Sequence, residues 1–289
     1  MDDELAATLG TALGSPVRRL VPVRGGDVAT AYAVDLADGR GVFAKTHPGA
    51  PAGFFTTEAL GLGWLREAGA VRVPELLTVS DAAPNHLVLA WIDEGSPRPS
   101  TEPDLGTGLA ALHRAGAPRF GREDRRTTGS RGLPNEPTET WSEFYASNRL
   151  APLARLAADA GVLPAGTIDG LDRLAGTLDR FETGEPPARL HGDLWAGNRL
   201  VDAGGASWLI DPAAHGGHRE FDLAMMRLFG GFGAACFDAY DEVFPLVSGW
   251  QERVDLHQIA PLVVHAIKFG GHYRDAAARA VGRYVPLGS

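Results

Sequence analysis

The sequence predicts an α+β chain of two lobes: an N-terminal lobe with an antiparallel sheet and one prominent helix, and a mainly helical C-terminal lobe. Three observations predict it. Between residues 17 and 45, short apolar runs alternate with turn signals, among them Asp38-Gly39, a strong hairpin dipeptide. Residues 54–68 then read as a single helix with Leu60, Leu62, Trp64 and Leu65 available for burial. From residue 104 onward the apolar runs lengthen and take helical spacing, as in Leu105, Leu109 and Leu112.

Taken in order, residues 3–13 are a short helix with Leu5, Leu9 and Leu13, and residues 17–23 a strand. Arg24-Gly25-Gly26-Asp27 is a turn, residues 31–36 alternate as a strand, and residues 41–45 form the next strand, ending on Lys45. The 54–68 helix carries Glu58. Residues 71–79 and 86–92 are two further strands. The polar Asp93-Glu94-Gly95-Ser96-Pro97 stretch reads as a linker, which divides the chain into lobes 1–93 and 94–289. Helices are expected over 104–115, 141–160, 168–180, 221–229, 237–246 and 256–269. A Gly/Pro/Thr-rich loop over 120–137 holds Arg122, Arg125, Arg126 and Arg131, which in an acidic chain reads as a solvated loop. Residues 207–210 are a short strand ending at Asp211.

Composition narrows the function. A chain of 289 residues that is 44% hydrophobic can build a core without disulfides or metals. A net charge of −9 argues against nucleic acid or an anionic membrane surface as partner. The single cysteine, Cys236, leaves no internal disulfide and no multi-cysteine zinc site. No basic-then-apolar leader precedes residue 30, and no apolar run reaches the roughly 18 residues of a membrane span. The expectation is a cytoplasmic monomer.

The chemistry concentrates in one stretch. Leu190-His191-Gly192-Asp193-Leu194-Trp195-Ala196-Gly197-Asn198 places a carboxylate at 193 and a carboxamide five positions on. That is the Asp-to-Asn spacing of a kinase catalytic loop, where the carboxylate takes a hydroxyl proton and the amide holds Mg²⁺. Asp211, thirteen residues after Asn198, supplies a second hard oxygen ligand at a strand end. Singly, each of these residues is ordinary turn chemistry; together they predict a phosphotransferase using ATP and Mg²⁺. The Gly25-Gly26-Asp27 turn would cover the phosphates. Lys45 would pair with phosphate oxygens, and Glu58, thirteen residues later, would hold Lys45. The backbone of Ala90, Trp91 and Ile92, at the lobe junction, would meet adenine. His215 and His218, in a glycine loop without cysteine, make a poor zinc site. Asp222, flanked by apolar residues, needs a hydrogen-bonded partner and would brace the catalytic loop.

These residues resemble the fructosamine kinase (ketosamine 3-kinase) family, within the aminoglycoside phosphotransferase and choline kinase group of protein-kinase-like folds. The similarity rests on His191 through Asn198, on Ile210-Asp211-Pro212-Ala213, and on Arg219-Glu220-Phe221-Asp222-Leu223-Ala224-Met225 running into Leu228-Phe229-Gly230-Gly231-Phe232. Leu133-Pro134-Asn135, Trp141 and Phe269-Gly270-Gly271 add to it. The resemblance implies phosphorylation of the C3 hydroxyl of a fructosamine or ribulosamine, a small glycated amine, leading to deglycation. By matched position it implies Asp193 as base, Asn198 and Asp211 as Mg²⁺ ligands, and Lys45 with Glu58 as the phosphate-binding pair. Trp195, His215 and Arg219 are candidate substrate contacts. The loop at 214–218 reads Ala-His-Gly-Gly-His, a departure from the family pattern that bears on sugar preference. Residues 28–30 carry no cysteine, so no redox-linked dimer is expected. Two other readings remain open at this stage: a kinase of the aminoglycoside or choline type, and a non-catalytic ATP-binding pseudokinase.

Overall fold

The structure, a computed structural model, describes residues 2–23, 28–129 and 131–286. The chain begins with α1 (Asp2–Leu13), β1 (Val17–Val23), β2 (Thr30–Leu36), β3 (Gly41–Thr46), α2 (Phe54–Glu67), β4 (Leu76–Ser80) and β5 (His86–Ala90). It continues with α3 (Thr101–Arg114), α4 (Trp141–Tyr145), α5 (Ala151–Asp159) and α6 (Ala165–Ala175). Four short strands follow: β6 (Ala188–Leu190), β7 (Arg199–Val201), β8 (Ser207–Leu209) and β9 (His215–Gly217). Four helices close the chain: α7 (Glu220–Phe229), α8 (Ala234–Val243), α9 (Trp250–Phe269) and α10 (His272–Gly282). Among the described residues no helix is long and apolar enough to cross a membrane. The α+β class expected from the sequence is the class observed.

Two compact units emerge. The first joins Met1–Thr101 to Arg199–Pro212. Its sheet is antiparallel in the order β1-β2-β3-β5-β4. Strand side chains alternate between faces. Val42 and Ala44 of β3 therefore share a face with Val34, Leu36 and Val88, and α1 covers this core with Leu5 and Leu9. Phe43 and Lys45 point the other way. Helix α2 buries Phe55, Ala59, Leu62 and Leu65. Its start is fixed from a distance: Asp81 Oδ1 accepts the Phe55 N–H at 3.0 Å, doing for the helix what a local cap residue would do. Pro74 shortens the strand expected over 71–79 to Leu76–Ser80, since proline cannot donate to a ladder. The β7–β8 hairpin brings residue 211 into this unit.

The second unit joins Glu102–Asn198 to Ala213–Ser289. Helices α4, α5, α6, α9 and α10 share one apolar core. The single helix expected over 141–160 is instead α4 and α5 with a π-helical segment, Ala146–Leu150, between them. Ala151 N–H reaches back five residues to Ala146 O, and Pro152 at the next position has no N–H for the α-ladder. The widened turn buries Asn148 and Arg149. The helix expected over 168–180 stops at Gly176 and resumes as a 3₁₀ turn, Leu178–Phe181.

Pro261 lies inside α9, where it cannot bond the carbonyl of His257. Tyr145 enters the ladder at this turn, its hydroxyl lying 3.5 Å from the His257 carbonyl. Its hydroxyl donates to Leu256 O at 2.8 Å and accepts the Ala260 N–H at 3.3 Å, and its ring lies in the core. Removing that hydroxyl leaves a buried carbonyl and a buried N–H short of a partner. We expect Tyr145→Phe to destabilise the chain by about 1–3 kcal/mol in urea unfolding; a change below about 0.5 kcal/mol would contradict this role.

Candidate active site

In the first unit the functional side chains meet around an ammonium. Lys45 lies on the central strand β3, paired with Ala31 on one side and Leu87 on the other, so its backbone has no freedom to slip. Its side chain is buried. Nζ donates to Glu58 Oε1 at 2.9 Å and to Asp211 Oδ1. Burial alone would pull the lysine pKa down, but the two carboxylates reverse this and hold it above its usual value. Glu58 goes the other way: burial raises it, Lys45 lowers it, Asp211 adds repulsion, and the outcome is upward. Asp211 adopts φ 54°, a left-handed conformation that few non-glycine residues take. Such a backbone aims the side chain, and aspartate tolerates it better than most residues.

Of the residues expected to meet nucleotide, Gly25, Gly26 and Asp27 lie outside the described residues. Ala90 closes β5, and its N–H is taken by Glu75 O at 2.9 Å. Trp91 is exposed, with its indole N–H on Asp93. Ala90, Trp91 and Ile92 line a groove of about 660 Å³ together with Arg72, Asp202 and Trp208.

In the second unit the loop of residues 191–198 follows β6 and is held by α7. Asp222, fully buried, accepts the backbone N–H of His191 at 2.7 Å and of Gly192 at 2.9 Å. Its Oδ2 also meets His113 Nε2 at 3.2 Å, and His113 Nδ1 meets the Tyr240 hydroxyl at 2.8 Å. Burial pushes the Asp222 carboxyl up, yet the His113 hydrogen bond and the neighbouring donors outweigh it and hold it below the usual range. Gly192 has φ 79°, and a Cβ there would lie 2.2 Å from Ala213 O, so only glycine fits this corner. Asn198 Nδ2 donates to the Asp193 backbone carbonyl at 2.9 Å and to Asp193 Oδ2 at 3.1 Å. This fixes the Asp193 carboxylate relative to the Asn198 amide.

Trp195 is exposed, and its ring packs across Gly197 and against Phe229. The other two candidate substrate contacts sit differently. His215 belongs to β9, is buried, donates from Nδ1 to Ala213 O at 2.8 Å and stacks on Phe144. Arg219 is also buried, gripping Glu185 from Nε at 3.0 Å and the carbonyls of Phe244 and Pro245 at 2.6 and 2.7 Å. Both have internal partners that a linear reading cannot supply. His218, Glu220 and His257 form a buried cluster, but Arg253 holds the Glu220 carboxylate through Nε at 2.8 Å, which makes it an ion pair first. The sequence reading missed His113 and Tyr240 as the props of Asp222. A histidine ending the apolar stripe of α3 was the available signal.

Within the first unit, a buried ammonium at 45 beside the Asp211 carboxylate has the chemistry that phosphate oxygens and a hard cation call for; within the second, the Asn198 amide has an oxygen of the same hard type. The fold is that of the protein-kinase-like phosphotransferases: choline kinase of Streptococcus pneumoniae superposes with a TM-score of 0.67 at 14% identity over 98% of each chain. Within that class, the chain belongs to the fructosamine kinase family, whose sequence profile matches residues 1–286. It is 35% identical over 281 residues to a Synechocystis protein described as a probable ketoamine kinase, covering 94% of this chain and 93% of the relative. It is 31% identical over 278 residues to the chloroplastic protein-ribulosamine 3-kinase of Arabidopsis thaliana, covering 94% and 84%. A crystal structure from Thermobifida fusca YX-ER1, carrying the fructosamine-3-kinase name, matches at 40% identity with a TM-score of 0.88 over 97% of this chain and 98% of that one.

Burial, aided by the Arg149 charge, pushes the His215 pKa down from 6.5 to about 3. Burial and the nearby His257 do the same for His218, also to about 3. Between these limits the unfolded chain binds protons that the folded chain refuses, so stability falls as pH drops below 6.5. The expected slope is about 1.4 kcal/mol per pH unit for each such group. We expect His215→Gln to remove its share of the slope in urea unfolding between pH 6.5 and 4.5. An unchanged slope would contradict the assignment.

Proposed function

We propose that the chain transfers the γ-phosphoryl group of ATP to the C3 hydroxyl of a ketosamine, a fructosamine or ribulosamine, and so starts release of the amine from its sugar. The observation that carries the phosphotransfer reading is the buried Lys45 ammonium fixed between Glu58 and Asp211, in a chain of this family. Lys45 would meet phosphate oxygens, with Glu58 keeping its orientation. The backbone of residues 90–92 would meet adenine, and Gly25, Gly26 and Asp27 the phosphates. Asn198 Oδ1 and the Asp211 carboxylate would hold Mg²⁺, which supplies charge neutralisation on the phosphates.

Asp193 is the base. The Asn198 amide on Oδ2 sets its direction, leaving the carboxylate to orient the acceptor hydroxyl and to take its proton late. A loose phosphoryl-transfer transition state asks for placement more than for basicity. Trp195, two residues along, is the candidate contact for the sugar. His215 and Arg219 shape that region through the partners they bind. The acceptor class is a small glycated amine, and we propose a cytoplasmic monomer.

The test is ATP consumption with Mg²⁺ on ribulose-lysine, fructose-lysine, kanamycin and choline. Turnover is expected on a ketosamine, and Asp193→Asn should lower kcat by about 10²–10⁴ with ATP affinity near that of the parent. Turnover on kanamycin or choline alone would overturn the substrate. Full activity in the variant would overturn the base.

A further inference from the structure

We propose that the acceptor's platform is an aromatic wall running from the catalytic loop to the end of α9, with Phe269 as its outer specificity-determining residue. This rests on the kinase reading above and extends it to how the acceptor is held. The wall lies within the second unit. The Trp195 and Phe229 rings meet edge-on with centroids 6.0 Å apart, Phe229 and His265 are 4.9 Å apart, and His265 reaches Phe269 at 5.4 Å and Tyr273 at 5.0 Å. Its two ends are open: Trp195 is 39% exposed and Phe269 53%. Rings left to water at both ends of one contact chain are wasted as core and useful as a platform.

The backbone supports this. Helices α7 and α9 both end in Phe-Gly-Gly. Gly230 takes φ 68°, ψ −162° and Gly270 takes φ 64°, ψ −138°, a region open in practice to glycine alone. A Cβ on Gly230 would meet no atom within 4 Å, so glycine is needed there for conformation and not for space. Each corner turns the chain away directly after a phenyl ring. Gly231 then passes so close to the catalytic loop that a Cβ would lie 2.4 Å from the Ala196 side chain, tying this corner to the residue beside Trp195.

A ketosamine fits such a surface. Its sugar chain offers C–H faces to the rings and the ammonium that joins sugar to amine can sit over an aromatic face. His265 donates from Nδ1 to Pro261 O at 2.8 Å, which fixes its ring between Phe229 and Phe269. The outer rim is cationic: Lys268 Nζ lies 5.0 Å over the Phe269 ring, and the Arg274 guanidinium lies beside Gly270. A polycation such as kanamycin would be repelled there more strongly than fructose-lysine, whose carboxylate offsets one of its ammonium charges.

The experiment is steady-state kinetics of the parent chain, Phe269→Ala and Phe269→Tyr on fructose-lysine, ribulose-lysine and kanamycin. Alongside it, saturation-transfer NMR follows fructose-lysine bound to the inactive Asp193→Asn protein, with and without Phe269→Ala. We expect Phe269→Ala to raise KM for the ketosamine at least tenfold with KM for ATP within twofold, Phe269→Tyr to restore it, and aromatic saturation of the sugar protons to weaken when Phe269 is removed. A ketosamine KM within twofold of the parent in Phe269→Ala overturns the wall and leaves the proposed function standing. If the parent phosphorylates only another alcohol and Phe269→Ala raises that KM, the wall stands and the ketosamine reading falls. If nothing is phosphorylated, the NMR decides: saturation weakened by removing Phe269 supports the wall, and saturation that is equal in both proteins or absent from both overturns it.

Discussion

A single buried ammonium organises the first unit. An isolated charge in a protein interior costs several kcal/mol, and Lys45 is held there only because Glu58 and Asp211 surround it. Each partner comes from a different element, so the central strand, α2 and the segment after β8 must all be in place for the charge to be tolerated. That makes the cluster weak as a source of stability and strong as a test of assembly. It also leaves the lysine charged across the physiological range, which binding a polyphosphate requires.

The loop of residues 191–198 solves a parallel problem with a buried anion. Asp222 takes two backbone N–H groups and a histidine, so its charge is spread over donors that would otherwise be unsatisfied. The consequence is local rigidity two residues before the proposed base. Gly192 turns where no side chain fits, and Asn198 locks the Asp193 carboxylate from the far end. The loop is thus anchored at both sides of Asp193, as placement-dominated chemistry demands.

The legible part of the site was the part written locally. Asp193 and Asn198 sit five apart in one loop, and Lys45 and Glu58 sit thirteen apart across one turn, so spacing alone placed them. Lys45 and Asp211 are 166 positions apart, and only the fold shows their contact. The same holds for His215 and Arg219. A glycine-rich loop reads as surface, but Phe144, Glu185, Phe244 and Pro245 enclose these side chains from distant segments. The π segment escaped notice because its cause is a missing bond at Pro152 more than any residue pattern. The strands β6 and β9 are three residues each, too short for alternation to register. The α+β class was readable, since the strands of five or more residues all lie before residue 91 and most of the helices lie after it.

The most direct test of the central claim is where the phosphate goes. Phosphorus NMR of ribulose-lysine incubated with the protein, ATP and Mg²⁺ should show a new phosphate ester coupled to the proton on C3, growing as ATP declines and absent when Lys45 is replaced by methionine. An ester on another carbon, or ATP consumed with no sugar ester formed, would contradict the account.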